Sequence, residues 1–446
     1  MPAGTVGAMR QGSLIATALV ALLVAAAPAR ASNDPLYPQQ WGMAMVGADA
    51  AHQVTEGQGA TIAVVDTGAN FSHPDLAGRL IAGHDFVDGD DNPTDEDATD
   101  HHGTHVSGIV AADANNGVGV EGVAPQAHVL VVRVLDQNGT GSVENVAAGI
   151  DYARTHGAQV INLSLGANAP LVGDSDTTLS DAIQRALDAG IVVVAAAGND
   201  TLPFCEQPSS LHGPFMCVAA VDRQGQRAFY SSFSGFGSGY AISAPGGSGS
   251  GGSDDIVSTA GGSGYQYEAG TSQATPHVSG VAGLLVSVGL RGQAVVDRIE
   301  QTATDAGSPG PDPIYGAGIV NARAAVAGYS LGGGGAVATT RAGAAARVTV
   351  PRIQRIRTVL RHGLIVRCLS AGAGRCSAHA NARRRTIAAG SHRLTIGRWV
   401  TVRAFATRRG RAMLLAALRG HRRMVATVLV RLPGAPLQAR RVILRP

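Results

Sequence analysis

From Thr61 onward the chain alternates short, uninterrupted apolar runs with longer segments of mixed character. Thr61–Asp66 (TIAVVD), His128–Asp136 (HVLVVRVLD), Val160–Gly166 (VINLSLG) and Ile191–Asn199 (IVVVAAAGN) are rich in valine and isoleucine and lack polar alternation. A strand with one wet face would alternate, so these runs predict strands of a parallel sheet covered on both faces. Between them, His105–Ala112, Val143–His156 and Thr178–Ala189 read as helices, and Thr275–Val288 as a buried one. This rhythm predicts a layered α/β fold with a mainly parallel sheet, whose chemistry gathers at the carboxyl ends of the strands. Three such ends carry a polar residue close to a glycine: Asp66, Ser164 and Asn199.

After residue 327 the texture changes. A Gly/Ala-rich linker is predicted over 328–344. Short Val/Leu/Arg alternations then predict antiparallel strands and a small, all-β accessory domain over 345–446, a β-sandwich or similar. Residues 408–423 read equally as a helix or a strand pair.

Charge sharpens this division. The 446 residues contain no lysine. Residues 32–330 carry nine arginines against 32 acidic residues, whereas 331–446 carry 24 arginines and no acid. Two units with different partners are implied. The basic one is expected to bind polyanions, with an anionic cell-surface polymer favoured, or to fold back on the acidic one. With 45% hydrophobic residues the chain is not of disordered composition.

Arg10, the apolar run Ser13–Ala27 and the small-x-small triplet Ala29–Ala31 form the three parts of a secretory signal peptide over 1–31. Export suits disulfides, and the four cysteines allow three pairings. The local pairs Cys205–Cys217 and Cys368–Cys376 are favoured because each lies within one unit.

Ser272 sits in GTSQATPHVSG, Gly270–Gly280, at the start of the predicted buried helix. A serine there is ordinarily a cap. Acyl transfer by serine would need a base, an orienter for that base, and donors for the oxyanion. Asp66, at the end of an apolar strand, is costly to bury without a partner. His102 opens HGTHVSGIVAA, and Asn199 closes AAAGN with an amide able to donate. Asn162 is the runner-up amide. Asp100, His101, His102 and His105 could instead hold a metal, although no cysteine is near. GYSLG at 328–332 fits a nucleophile elbow but lacks the strand before it and the helix after it.

Six segments, VVDTGANFSHPDL, HGTHVSGIVAA, VAPQAHVLVVRVLD, VINLSLG, VVVAAAGN and GTSQATPHVSG, together resemble the subtilisin-like serine proteases, or subtilases. The resemblance spans about residues 33–327. It implies a three-layer subtilisin-like domain over 32–327 and a secreted, monomeric serine endopeptidase acting on polypeptides. Asp66 matches the orienting aspartate, His102 the base, Ser272 the nucleophile and Asn199 the oxyanion amide. Ser164, Leu165 and Gly166 match the strand that pairs with substrate, and Ala196, Ala197 and Gly198 the walls of the first specificity pocket. The resemblance also implies structural Ca²⁺. One site would take side-chain oxygens of Asp34, Asp75 and Asn116 and carbonyls of Asp113, Val118 and Val120. A second, weaker one would use Asp85, Asp88 and Asp90. Gln273 departs from the methionine usual after the serine and needs hydrogen-bond partners. With 1–31 read as a signal peptide, no room is expected for the family's propeptide before NDPLYPQQWG. The rival reading is an inactive scaffold that binds a surface or polyanion, and esterase activity is a side reaction the same serine permits.

Overall fold

In the computed structural model the described residues are 32–165, 177–205, 211, 213–233, 241–330, 347–350, 353–369, 374–382, 385–394, 399–431 and 438–446. The expected signal peptide and nearly all of the expected linker lie outside them.

Seven strands form one sheet: β1 (Thr61–Asp66), β2 (Leu80–Asp85), β3 (His128–Arg133), β4 (Val160–Leu163), β5 (Val192–Ala196), β6 (Phe215–Val221) and β7 (Ala241–Pro245), in the order β2-β3-β1-β4-β5-β6-β7. Every pairing in it is parallel. The uninterrupted apolar runs follow from two-sided burial. Ile62 and Val64 of β1 enter one core cluster, while Ala63 and Val65 enter the other. Helices α3 (His102–Ala111), α6 (Thr271–Ser287) and α7 (Gln293–Thr302) feed the first cluster, and α4 (Val143–Thr155) and α5 (Thr178–Asp188) the second. The short helices α1 (Trp41–Val46), α2 (Ala48–His52) and α8 (Ala322–Val326) also belong to the first side. The result is the expected three layers.

Helix α6 runs through the first core with Gln273–Val286 all buried. Such depth needs small residues: a Cβ at Gly283 would stand 2.6 Å from Ile62 Cδ1 of β1. The hairpin β8 (Ile256–Thr259) and β9 (Tyr265–Glu268) leads into this helix.

The accessory segment is rich in strands: β10 (Arg347–Thr349), β11 (Ile353–Arg355), β12 (Leu364–Leu369), β13 (Gly374–Ala382), β14 (Arg385–Leu394), β15 (Trp399–Ala406), β16 (Met424–Arg431) and β17 (Gln438–Arg445). They join into one eight-stranded sheet rather than the two stacked sheets of a sandwich, and α9 (Ile356–His362) and α10 (Arg408–Arg419) share its core. Residues 408–419 settle as a helix because Leu414 and Ala417 face that core and Thr407 Oγ1 caps the first turn, accepting from Gly410 N at 3.0 Å. Both local disulfides are formed, Cys205–Cys217 and Cys368–Cys376.

Candidate active site

Asp66 is the last residue of β1 and is wholly buried. Its Oδ1 accepts from the Thr67 backbone N–H at 2.8 Å and meets His102 Nδ1 at 2.7 Å. His102 is the first residue of α3, and Gly103 seats that helix on the turn after β1. A Cβ at Gly103 would lie 2.1 Å from Gly68 O, so a larger residue would push the helix, and the imidazole, away from Asp66. Thr67 Oγ1 accepts from Gly103 N at 2.8 Å and completes the clamp. Burial is the largest single influence on His102 and opposes its charge, but the charge and hydrogen bond of Asp66, with Glu268 and Asp95, together outweigh it and hold the ring up at about 9.

Ser272 is the second residue of α6. Its Oγ donates to Ser164 O at 3.0 Å, while Ser164 Oγ donates to Ser272 O at 2.7 Å. Pro276 explains the second bond. Proline has no N–H, so the helix leaves the carbonyl four residues earlier, that of Ser272, free to accept from outside. This reciprocal pair ties the end of β4 to the start of α6. The Ser272 hydroxyl therefore directs its proton to Ser164 rather than to His102.

Asn199 follows β5. Its Oδ1 accepts from both the N–H and the Oγ1 of Thr271, each at 3.0 Å, which turns Nδ2 the other way. A Cβ built on Gly270 would sit 3.4 Å from Asn199 Nδ2 and 3.5 Å from Ser272 N. The two donors thus flank one small volume beside Gly270, which Gln273 Oε1 also borders, 2.8 Å from that Cβ. The runner-up amide, Asn162, is occupied: Nδ2 donates to Ser164 Oγ at 2.9 Å and Oδ1 accepts from Ser279 Oγ at 2.8 Å.

Asp66, Ser164 and Asn199 come together because β1, β4 and β5 are consecutive in the sheet and end on one edge. Ala196 and Ala197 lie there too and are buried, and Gly198 N donates to Thr271 Oγ1 at 3.2 Å. Leu165 is half-buried, and Gly166 lies outside the described residues. His105 is one turn along α3, fully buried, its Nε2 at 3.1 and 3.2 Å from the carbonyls of Ile256 and Gln266. Burial holds it near 3, uncharged, and it serves the packing of α3 on the hairpin rather than a metal.

Asp34 and Asp75 are brought together, both buried. Asp34 accepts from Asn115 N at 2.7 Å and Gly117 N at 2.9 Å. Asp75 accepts from Asn116 Nδ2 at 2.8 Å and Val120 N at 2.8 Å. Burial, with Asp34 alongside, pushes Asp75 up to about 6. The Asp113 side chain turns to Arg79 at 2.9 Å. Among the described residues no three His, Cys, Asp or Glu side chains converge as for a metal, so a cation here would also draw on amide and backbone oxygens.

The second acidic group is different. Arg133, at the end of β3, places its NH1 at 2.7 Å from both Asp85 and Asp88 and its NH2 at 2.8 Å from Glu96. The guanidinium supplies the positive charge that the sequence reading assigned to a cation, and Asp90 instead accepts from Asn92 N at 2.8 Å. These residues do not fit a metal as arranged.

Gln273 has the partners it needs: Nε2 donates to Glu268 Oε2 at 2.6 Å. Sequence reasoning passed over three residues here. Thr271 was signalled by its place beside Ser272. Glu268 and Arg133 carried no local signal, because their partners are remote in the chain.

Comparison with known proteins agrees with this geometry. The sequence profile described as the Subtilase family (Peptidase_S8) matches residues 57–318. Thermitase of Thermoactinomyces vulgaris is 43% identical over 295 residues, which is 66% of this chain and 98% of thermitase. The thermophilic serine proteinase of Bacillus sp. (strain AK1) is 43% identical over 286 residues, 64% of this chain and 67% of that protein. Subtilisin Savinase of Lederbergia lenta is 41% identical over 288 residues, 64% and 97% of the two chains. Among solved structures, a protease of Pseudoalteromonas arctica PAMC 21717 superposes with a TM-score of 0.59 at 34% identity, covering 66% of this chain and 98% of that one.

Proposed function

The chain belongs to the subtilase family and is a serine endopeptidase, and from that premise we propose that it cleaves peptide bonds through Asp66, His102 and Ser272, with Asn199 at the oxyanion. The observation that carries the reading is the Asp66–His102 bond at 2.7 Å together with a serine whose N–H and the Asn199 amide flank one small volume.

An extended peptide lies along Ser164 and Leu165 and presents its carbonyl to Ser272. The Ser272 hydroxyl rotates away from Ser164 O, a change of one side-chain rotamer. His102 Nε2 takes the hydroxyl proton as Oγ attacks, and Asp66 holds the imidazolium that results. Asn199 Nδ2 and Ser272 N–H donate to the oxyanion. His102 returns the proton to the leaving amine, leaving an acyl group on Ser272, and water releases it by the same steps. Hydrolysis of an extended peptide by the wild type, beside Ser272→Ala, tests the reading: the variant is expected to lose it, and retained hydrolysis would sink it.

The pair Asp34 and Asp75 fits a structural Ca²⁺: hard oxygen donors, and two buried carboxylates whose repulsion a cation would relieve, while Asn116 turns its Nδ2 to Asp75 and would have to turn its amide over to join them. The ion would supply stability to the 113–120 loop and take no part in bond breaking. Saturating calcium is expected to stabilise the fold by about 2.7 kcal/mol at one hundred times its Kd, roughly 5–10 °C in Tm. The sign with pH follows from Asp75, whose folded value is raised to about 6. Between its ordinary value near 4 and this one the unfolded chain gives up the proton first, so the metal-free fold loses stability over that window, and a cation needs the ionised form that prevails above it. The calcium effect should therefore be large at pH 7 and small at pH 5. Calorimetry with and without a chelator checks it, and equal Tm values at pH 7 would remove the site.

The enzyme is secreted in this reading, and among the described residues no helix is long and apolar enough to cross a membrane. The arginine-rich segment anchors it to an anionic polymer. Arg408, Arg409, Arg411, Arg419, Arg422 and Arg423 are all exposed on and just after α10. Retention on a teichoic-acid-type polyphosphate should fall steeply with salt and disappear on truncation after residue 330. Retention unchanged by truncation would contradict the anchor.

A further inference from the structure

Among the carboxylates at the site that the residues assigned above leave unused is Glu268, which is largely covered. Glu268, the last residue of β9, is 14% exposed in its side chain. Its Oε2 accepts from Gln273 Nε2 at 2.6 Å, and Gln273 directly follows Ser272 in α6. Its Oε1 accepts from Gln266 Nε2 at 2.6 Å, and the same Nε2 reaches the Asp100 carbonyl, just ahead of α3. Glu268 is therefore tied to the first turns of the two helices that carry His102 and Ser272. Both turns present the positive ends of their helices, which favours an anion between them.

Two consequences follow. First, Glu268 fixes which end of the Gln273 amide faces it. With Nε2 committed to the carboxylate, Oε1 stands 2.8 Å from a Cβ built on Gly270, beside the volume flanked by Asn199 Nδ2 and Ser272 N. Second, Glu268, whose carboxyl burial pushes up to about 7 against the pull of His102, adds negative charge near His102 once it is ionised, on top of that of Asp66. The other groups around this pair do not cancel it. Asp95, Asp97 and Asp100 lie in the loop before α3 and are acidic. His105, with Nδ1 3.8 Å from Glu268 Oε2, is uncharged at neutral pH.

We propose that Glu268 is a positioning residue for the peptidase reaction: clamped between the starts of α3 and α6, it fixes the side chain next to Ser272 and holds a carboxylate close to the His102 end of α3. It touches neither substrate nor the reacting atoms, and the inference rests on His102 being the base.

The test is the pH profile of kcat/KM for a peptide substrate, measured on the full chain. The acid limb reports the ionisation of His102 in the free enzyme. Removing a neighbouring negative charge makes the imidazolium less favourable, so the neutral base survives to lower pH. In Glu268→Gln the limb is expected to move down by about 0.5–1 pH unit. Glu268→Leu, a second neutral variant, should move it the same way should the first fail to fold. Gln273→Met, which breaks the amide link but keeps the charge, should leave the limb at the wild-type position. A limb that stays put in the folded neutral variants overturns the proposal whatever their kcat, because a merely structural role lowers the plateau without moving the limb. The underlying reading fails separately, if His102→Ala keeps the activity or the wild type shows no acid limb.

Discussion

Replacing Ser272 with alanine is expected to lower kcat by about 10⁶-fold, His102→Ala by about as much, and the double variant no further. These magnitudes are those known for a subtilisin, a member of the same family. The geometry argues for the non-additivity. Ser272 Oγ is a weak nucleophile unless a base removes its proton, and His102 has no use without that proton. The two residues therefore make one contribution, and losing either loses all of it. What survives is the binding of substrate along β4 and the donor pair at the oxyanion, neither of which needs the hydroxyl. Progress curves for an internally quenched peptide, on samples shown to be folded by circular dichroism, check this. Independent losses that multiply in the double variant would mean that His102 and Ser272 do not act as a unit.

The second large effect is at Asn199. Asn199→Ala is expected to lower kcat by about 10²–10³-fold with little change in KM, again a size known from a subtilisin. Its amide is held by Thr271 through two bonds of 3.0 Å to Oδ1, so Nδ2 is placed before substrate arrives. The charge it serves exists only once the carbonyl has become tetrahedral, which is why the loss should fall on kcat rather than on KM. Ser272 N–H remains as one donor, so the loss stays far short of that at the nucleophile. A variant that raised KM and kept kcat would make Asn199 a ground-state contact instead.

Much of the fold was legible because two-sided burial writes itself as apolar runs. β1 was read to the residue, and β3, β4 and β5 were located from composition alone. Of the strands that escaped, β6 carried this signature in FMCVAAV, whereas β2 and β7 did not. β2 is the sheet edge, with Ile81 and Ala82 exposed, and β7 is five residues closed by Pro245. Helix α3 begins at His102, three residues before the apolar pattern announces it, because Gly103 and Thr67 rather than hydrophobic periodicity set its start. The motifs marked Asp66, His102, Ser272 and Asn199 as candidates, and the sheet brings the strand ends of Asp66 and Asn199 to one edge. Two other features carried no motif. Arg133 sits in an apolar run, and its partners lie 37 to 48 positions earlier, so the acids were assigned to a cation. Glu268 becomes notable only when α3 and α6 close on it, and nothing in YQYEAG reports that closure.

The most direct measurement is the intact mass of the protein after exposure to a fluorophosphonate, wild type beside Ser272→Ala. The structure predicts one adduct on the wild type, mapped by peptide digestion to the segment containing Ser272, and none on the variant. An unlabelled wild type that is folded and calcium-loaded, or an adduct that survives in Ser272→Ala, would contradict the assignment of Ser272 as the nucleophile.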